Sequence, residues 1–156
     1  MEVVLVGEMN PYGLDPKYAL FDLPKNAAGY RLRTRVLQVE RRTYFGFKRH
    51  NLCVGKWSKD DARREAGRLY LEVYDSRRVD AVFVLLGRKV SDAFGWMAQD
   101  PFTRDGKLVF LPHPSGLCRV WNTEGAYDRA QAVLREAAPD VPWGETATSS
   151  GPRPSP

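Results

Sequence analysis

Apolar residues fall along the chain in two kinds of run. One kind is short and nearly continuous: Glu2 to Gly7 (E-V-V-L-V-G), Val79 to Leu86, and Lys107 to Leu111. Runs of this length and density predict strands covered on both faces, as in a parallel sheet. The other kind recurs at helical spacing. Ala62, Ala66, Leu69, Tyr70 and Val73 share one face of a helix expected to run to about Asp75, and Ser58 followed by Asp61 is a near capping box at its start. Further helices are expected from about Ala27 to Val39 with Asn26 as cap, from Lys89 to Trp96, and from about Thr123 to Ala138. A basic and aromatic stretch from Arg41 leads to a short strand ending near His50 and Asn51. Leu14 to Lys25 reads as a loop with one helical turn around Tyr18 to Phe21, and Asp100 to Gly106 as a turn-rich connection.

Strands alternating with helices predict an α/β fold: a single-domain three-layer α/β/α arrangement with a central, mostly parallel sheet of about four strands. The domain is expected to span residues 1–145, and Thr146 to Pro156, rich in Pro, Gly, Ser and Thr, to form a disordered tail. Two strands run straight into rigid polar loops, the first into Glu8-Met9-Asn10-Pro11-Tyr12-Gly13 and the last into Pro112-His113-Pro114-Ser115-Gly116-Leu117. Prolines on both sides of His113 fix φ and remove two backbone donors, so this segment continues neither a sheet nor an ordinary helix. Ligands of open α/β sheets bind at the C-terminal strand edge. Loops at Gly7 to Gly13, His50 to Lys56 and Pro112 to Asn122 should gather there, bringing Asn10, Tyr12, Asn51, His113 and Ser115 together.

Composition narrows the function classes. No apolar run is long enough to span a membrane, and the amino terminus has no signal-peptide pattern, so a cytoplasmic protein without a membrane partner is expected. Cys53 and Cys118, the two cysteines, have neither disulfide-scaffold nor metal-ligand spacing. The net charge of +5 and a pI of about 9.4 suit a polyanionic partner. Arg31, Arg33, Arg35, Arg41, Arg42, Lys48 and Arg49 form one basic stretch interleaved with Tyr44, Phe45 and Phe47, which reads either as a DNA contact or as a solvated helix face followed by core aromatics.

Four segments, in order, resemble motifs of the uracil-DNA glycosylase superfamily. G-E-M-N-P-Y-G at Gly7 to Gly13 is a hybrid. Its Asn-Pro is similar to the mismatch-specific branch and its Pro-Tyr to the main uracil branch. H-P-S-G-L-C-R at His113 to Arg119 resembles the last motif of the mismatch-specific branch, with a main-branch histidine at its head. Arg49-His50-Asn51-Leu52-Cys53 resembles the base-reading segment of the single-strand-selective branch, and Leu85-Leu86-Gly87-Arg88-Lys89 an L-G-K segment common to several branches. The segments span about Val3 to Trp121. One branch carries an iron–sulfur cluster on four cysteines; with two here, no cofactor is expected.

The resemblance implies a monofunctional DNA glycosylase, acting as a monomer on DNA and associated with the nucleoid through it. Such an enzyme flips out a uracil or a modified pyrimidine and hydrolyses its N-glycosidic bond, leaving an abasic site. Repair and phage defence, the latter against bulky C5-modified cytosines, both stay open. The alternative is a catalytically silent nucleic-acid-binding module on the same fold. In the enzyme, His113 would donate a hydrogen bond to the base O2 as charge develops there. Asn10, in place of a main-branch aspartate, would orient water. Asn51 would pair with the Watson–Crick edge of uracil or, rotated, of cytosine. Met9 would line the base pocket, and Phe21, with Tyr18 in reserve, would stack on the base or pack in the core. Tyr12 would either pack against C5 and exclude a methyl, or turn away beside Gly13 and leave a roomier pocket. Leu117 would wedge into the space left by the base. Ser115, Gly116 and Arg119 would hold flanking phosphates or the orphaned opposite base.

Overall fold

A computed structural model describes residues 1–9, 15–75, 80–96 and 99–145. Asn10 and Tyr12, and the expected tail from Thr146, therefore lie outside the described residues. The chain forms one five-stranded sheet in the order β2-β1-β3-β5-β4. Strands β1 (Glu2–Met9), β2 (Lys48–Cys53), β3 (Ala81–Leu86) and β5 (Leu108–Leu111) are parallel, and β4 (Thr103–Asp105) pairs antiparallel with β5. The fold class expected from the alternation holds. β4 is an addition: the stretch expected as a turn-rich connection contains a short edge strand. Its Arg104 and Asp105 point too few apolar groups inward for periodicity to reveal it.

Helices cover both faces. Alternate residues of β1 and β3 divide between two cores, because side chains of a strand point to opposite faces. Val3, Leu5, Val82, Val84 and Leu86 pack with α1 (Ala28–Arg31, continuing as a π-helical turn Leu32–Leu37), α2 (Arg41–Gly46) and α5 (Ala126–Ala137). Val4, Val6, Phe83 and Leu85 pack with α3 (Lys59–Asp75) and α4 (Arg88–Ala93). Among the described residues no helix is long and apolar enough to cross a membrane.

Helix α3 forms where the apolar spacing placed it, and the Asp61 N–H donates to Ser58 Oγ at 3.3 Å as the near capping box implies. The first helix departs from expectation. Asn26 does not cap it; Ala27 occupies the cap position with no side-chain hydrogen bond. After Arg31 the helix widens into the π turn, whose buried Val36 and Leu37 carbonyls accept from Gln131 Nε2 at 2.7 and 2.9 Å. A contact between residues so far apart in sequence has no local signal. The basic–aromatic stretch likewise opens with helix α2, which buries Tyr44 rather than continuing as irregular chain.

Candidate functional site

The four parallel strands end on one edge, as expected. There a cavity of about 320 Å³ is lined by Glu8, Met9, Leu20, Phe21, Ala27, Ala28, Gly29, Asn51 and His113. Its volume falls at the lower end of small-molecule sites, about 300–1,000 Å³. Four residues expected at a base site, Met9, Phe21, Asn51 and His113, thus share one cavity.

Asn51 is positioned by the sheet. It sits within β2, not in a loop, opposite Gly7 of β1. A Cβ at Gly7 would overlap Asn51 Oδ1 and crowd Leu20, so only glycine lets the carboxamide settle there. Both Asn51 Oδ1 and Nδ2 are buried and, among the described residues, have no hydrogen-bond partner. Leaving a buried polar group unpaired costs about 1–3 kcal/mol. An occupant of the cavity with a donor and an acceptor in one plane would recover that cost.

His113 is held by its loop. The Ser115 N–H donates to His113 Nδ1 at 3.1 Å, and Trp121 Nε1–H donates to the His113 carbonyl at 2.8 Å. Because Nδ1 accepts, the neutral ring carries its proton on Nε2. Nε2 lies 3.9 Å from Glu8 Oε2, beyond hydrogen-bond distance, so among the described residues its N–H has no acceptor and can serve an occupant. Burial holds the imidazole below its ordinary pKa, the Glu8 carboxylate works against this, and Lys89 adds to it. His113 is therefore a neutral hydrogen-bond donor at pH 7. Gly87, with φ of +100°, passes beneath: a Cβ there would lie 3.3 Å from His113 Cβ and 3.5 Å from Glu8 Oε2. The L-G-K glycine is thus the floor between the two side chains.

Glu8 was not among the residues expected at the site. Its signal was present in its position, directly at the end of β1 within G-E-M-N-P.

The wall that carries Phe21 is held by an internal network that sequence reasoning also missed. Asp22, fully buried, accepts from Arg33 Nε at 2.9 Å and from Arg41 Nε and Nη2 at 2.7 and 2.9 Å. Burial alone would raise its pKa, but the two guanidiniums hold it below the ordinary carboxylate value. Leu20 adopts φ of +51°, uncommon for a side chain of its size, and its carbonyl accepts from the buried Tyr44 hydroxyl. Arg49 Nη1 donates to the Ala19 carbonyl at 2.8 Å and its guanidinium lies 4.6 Å from the Phe45 ring centroid. A Cβ at Gly29 would collide with the Leu20 and Phe21 carbonyls, so the start of α1 can press directly on this segment. The Phe21 ring then faces the cavity, backed by Tyr18 and Phe45 at centroid distances of 5.4 and 5.8 Å.

These contacts change the picture of the basic stretch. Arg33 and Arg41 share the single carboxylate of Asp22, Arg49 serves backbone carbonyls, and Lys48 pairs with Glu72 at 3.1 Å. Three of the seven, Arg33, Arg41 and Arg49, thus serve internal groups, while Arg35 and Arg42 are exposed. Of the expected DNA-contacting loop residues, Leu117 is 92% exposed, and Gly116 and Arg119 are also exposed. Ser115 uses its N–H on His113 and its Oγ to accept the Leu117 N–H at 3.1 Å, leaving its hydroxyl hydrogen for a ligand. His50, next to Asn51, points to the other face and bonds Glu65 at 2.8 Å. Among the described residues no cluster of three or more His, Cys, Asp or Glu is placed to hold a metal ion.

No protein-family model, no curated protein and no solved structure matches this chain.

Proposed function

We propose that this chain is a DNA glycosylase that binds a flipped-out pyrimidine in the strand-edge cavity and hydrolyses its N-glycosidic bond. The observation that carries this reading is the juxtaposition of a neutral His113 Nε2–H and the Glu8 carboxylate 3.9 Å away, beside an Asn51 carboxamide that has no partner among the described residues. A module that only binds DNA needs no carboxylate in its pocket, since a carboxylate repels phosphates. Hydrolysis of a glycosidic bond uses both groups. As the bond from the sugar C1′ to the base nitrogen breaks, the base takes the electron pair and becomes an anion, and the sugar becomes cationic. His113 Nε2–H donates to the base O2, where that negative charge gathers. The Glu8 carboxylate stabilises the sugar cation and accepts a proton from water as the water oxygen bonds to C1′. The water thus contributes hydroxide to the sugar, and its proton leaves through Glu8. Asn51 pairs with the Watson–Crick edge, Phe21 stacks on the ring, and Leu117 enters the space the base vacates.

A base-release assay on defined single strands and duplexes tests this, carrying uracil, thymine, cytosine, and hydroxymethylated or glucosylated cytosine, with abasic sites as the readout. His113→Ala should lower release on the order of 100-fold, the size of effect of losing one oxyanion donor. Glu8→Gln should cost a similar on-the-order-of-100-fold factor, as losing a general base does. Neither variant should weaken DNA binding. DNA binding without release of any base would leave the module without cleavage as the correct reading.

A further inference from the structure

Of the arginines between residues 31 and 49, Arg31 stands apart. It is half-buried, at the end of the α-helical part of α1, and among the described residues its guanidinium has no ion pair or hydrogen bond, only its backbone N–H being paired, with the Ala27 carbonyl. Keeping a guanidinium partly out of water with no anion beside it is unfavourable. Its position is nonetheless well defined. The point a Cβ would occupy on Gly116 lies 3.6, 3.7 and 3.8 Å from Arg31 Nη1, Cζ and Nε. Near-equal distances to three bonded atoms place the guanidinium face-on over Gly116, so its N–H donors point outward around the edge of the plane. A Cβ at 116 would rest in ordinary van der Waals contact with the guanidinium, so the turn and the guanidinium are in packing range. The turn beneath it is the one that presents the Ser115 hydroxyl and the exposed Leu117. The first turn of the same helix, Ala28 and Gly29, lines the cavity. Arg31 therefore bridges the cavity wall and the tip of the His113 loop.

We propose that Arg31 and the Ser115–Leu117 turn form a phosphate subsite that grips one phosphodiester of the DNA strand next to the flipped nucleotide. The inference rests on the glycosylase reading and adds the residue that anchors the strand. A planar guanidinium presents paired donors that match two phosphate oxygens, which an ammonium does not. The Ser115 hydroxyl hydrogen supplies a further donor on the same side. Gripping the backbone here would set the register of the strand, so that Leu117 meets the base stack when the nucleotide beside it leaves.

The test measures DNA binding of wild type, Arg31→Gln and Arg31→Lys over a range of salt, each variant first checked for an unchanged thermal midpoint. The probe is an oligonucleotide with one abasic-site analogue, in which single phosphates around the analogue are replaced in turn by neutral methylphosphonates. Arg31→Gln should weaken binding on the order of 10-fold, as loss of a charged hydrogen bond does. It should also reduce the slope of log affinity against log salt by about 0.9, one phosphate contact. Arg31→Lys should restore the slope and only part of the affinity. One methylphosphonate position should abolish the difference between wild type and Arg31→Gln. Equal salt slopes for all three proteins, or no phosphate position that removes the difference, would overturn the subsite and leave Arg31 as a brace for the turn. Tight, Arg31-dependent binding with no base release would sink the glycosylase reading alone. Failure of the wild type to bind this DNA would sink both.

Discussion

The two helical layers that cover the sheet are built on different terms. On one side, α3 is a regular helix with a side-chain cap, small buried residues Ala62 and Ala66 against the strands, and charges outward. Arg68 pairs with Glu65 and Glu72 one turn away on either side. The first turn of the helix is served by the neighbouring Ser58, whose Oγ and carbonyl accept from the Asp61 and Ala62 N–H groups. On the other side, α1 widens into a π turn, Leu20 and Gln38 take positive φ values of 51° and 55°, and Asp22 and Gln131 are buried. Here the backbone leaves groups unpaired, and side chains from distant segments reach in to pair them. The candidate site borders this second layer. Irregular backbone is costly unless surrounding contacts over-determine it, and the same contacts that do so hold Phe21 and the helix start at the cavity.

The largest test of this contrast is Asp22→Ala. It leaves Arg33, mostly buried, and Arg41 without a counter-charge, and breaking a buried ionic group this way costs about 3–5 kcal/mol. Urea unfolding should show a loss of that size. The folded-state pKa of Asp22 is depressed, so its contribution is present above the ordinary value of 3.8 and is lost only as pH falls below it toward the folded value. A loss under about 1 kcal/mol would mean the network is no stronger than a surface pair.

Gln131→Ala comes next. It removes the donor that serves both the Val36 and Leu37 carbonyls, and unpaired buried acceptors cost about 1–3 kcal/mol. Amide hydrogen exchange across Leu32–Leu37 should speed up while that of α3 stays unchanged. Equal acceleration in both layers would show the π turn to be no special dependant of Gln131.

A smaller effect is expected from pH. Protonating His113 puts hydrogen on Nδ1, which then no longer accepts from the Ser115 N–H. Its pKa is lowered by burial, so the neutral form persists through neutral pH. Base release should be level above the ordinary imidazole value of 6.5 and fall only on the acid side. The stability contribution has the same sign. The unfolded chain binds its proton first as pH drops below 6.5, and the loss is complete below the folded value. A rate that climbs as pH falls through 6 would call for an imidazolium instead.

The smallest effect belongs to the regular layer. Arg68→Ala removes exposed pairs on α3 and should change stability by no more than about 0.5–1 kcal/mol, read from the same urea curves. A loss comparable to that of Asp22→Ala would erase the distinction between the layers.

Legibility in the sequence followed the same division. The spacing of Ala62, Ala66 and Leu69 predicts α3, and the run Val79 to Leu86 predicts β3, which forms over Ala81–Leu86, because burial of a regular element writes its own period into the chain. Met9, Phe21, Asn51 and His113 were expected at one site and share one cavity. Glu8 and Asp22 carry no motif of their own and no spacing that marks them, since their roles depend on His113, Arg33 and Arg41, which are far from them in the chain. Asn26 looked like a cap and is not one. The arginines from 31 to 49 looked like a single surface, whereas two of them turn inward to one carboxylate.

The sequence by itself determined the layered α/β class and the meeting of strand ends at one edge, since periodicity and turn chemistry are local properties that survive without knowledge of partners. It also supplied the glycines, but not their reasons. Only the tertiary structure decided that Gly7 makes room for Asn51, that Gly87 floors the space between Glu8 and His113, and that Gly29 admits α1 against Phe21. It alone decided which charges are spent inside and which face solvent. Pairing of charges and close backbone approach depend on distances between segments far apart in the chain, and a one-dimensional pattern carries no distance.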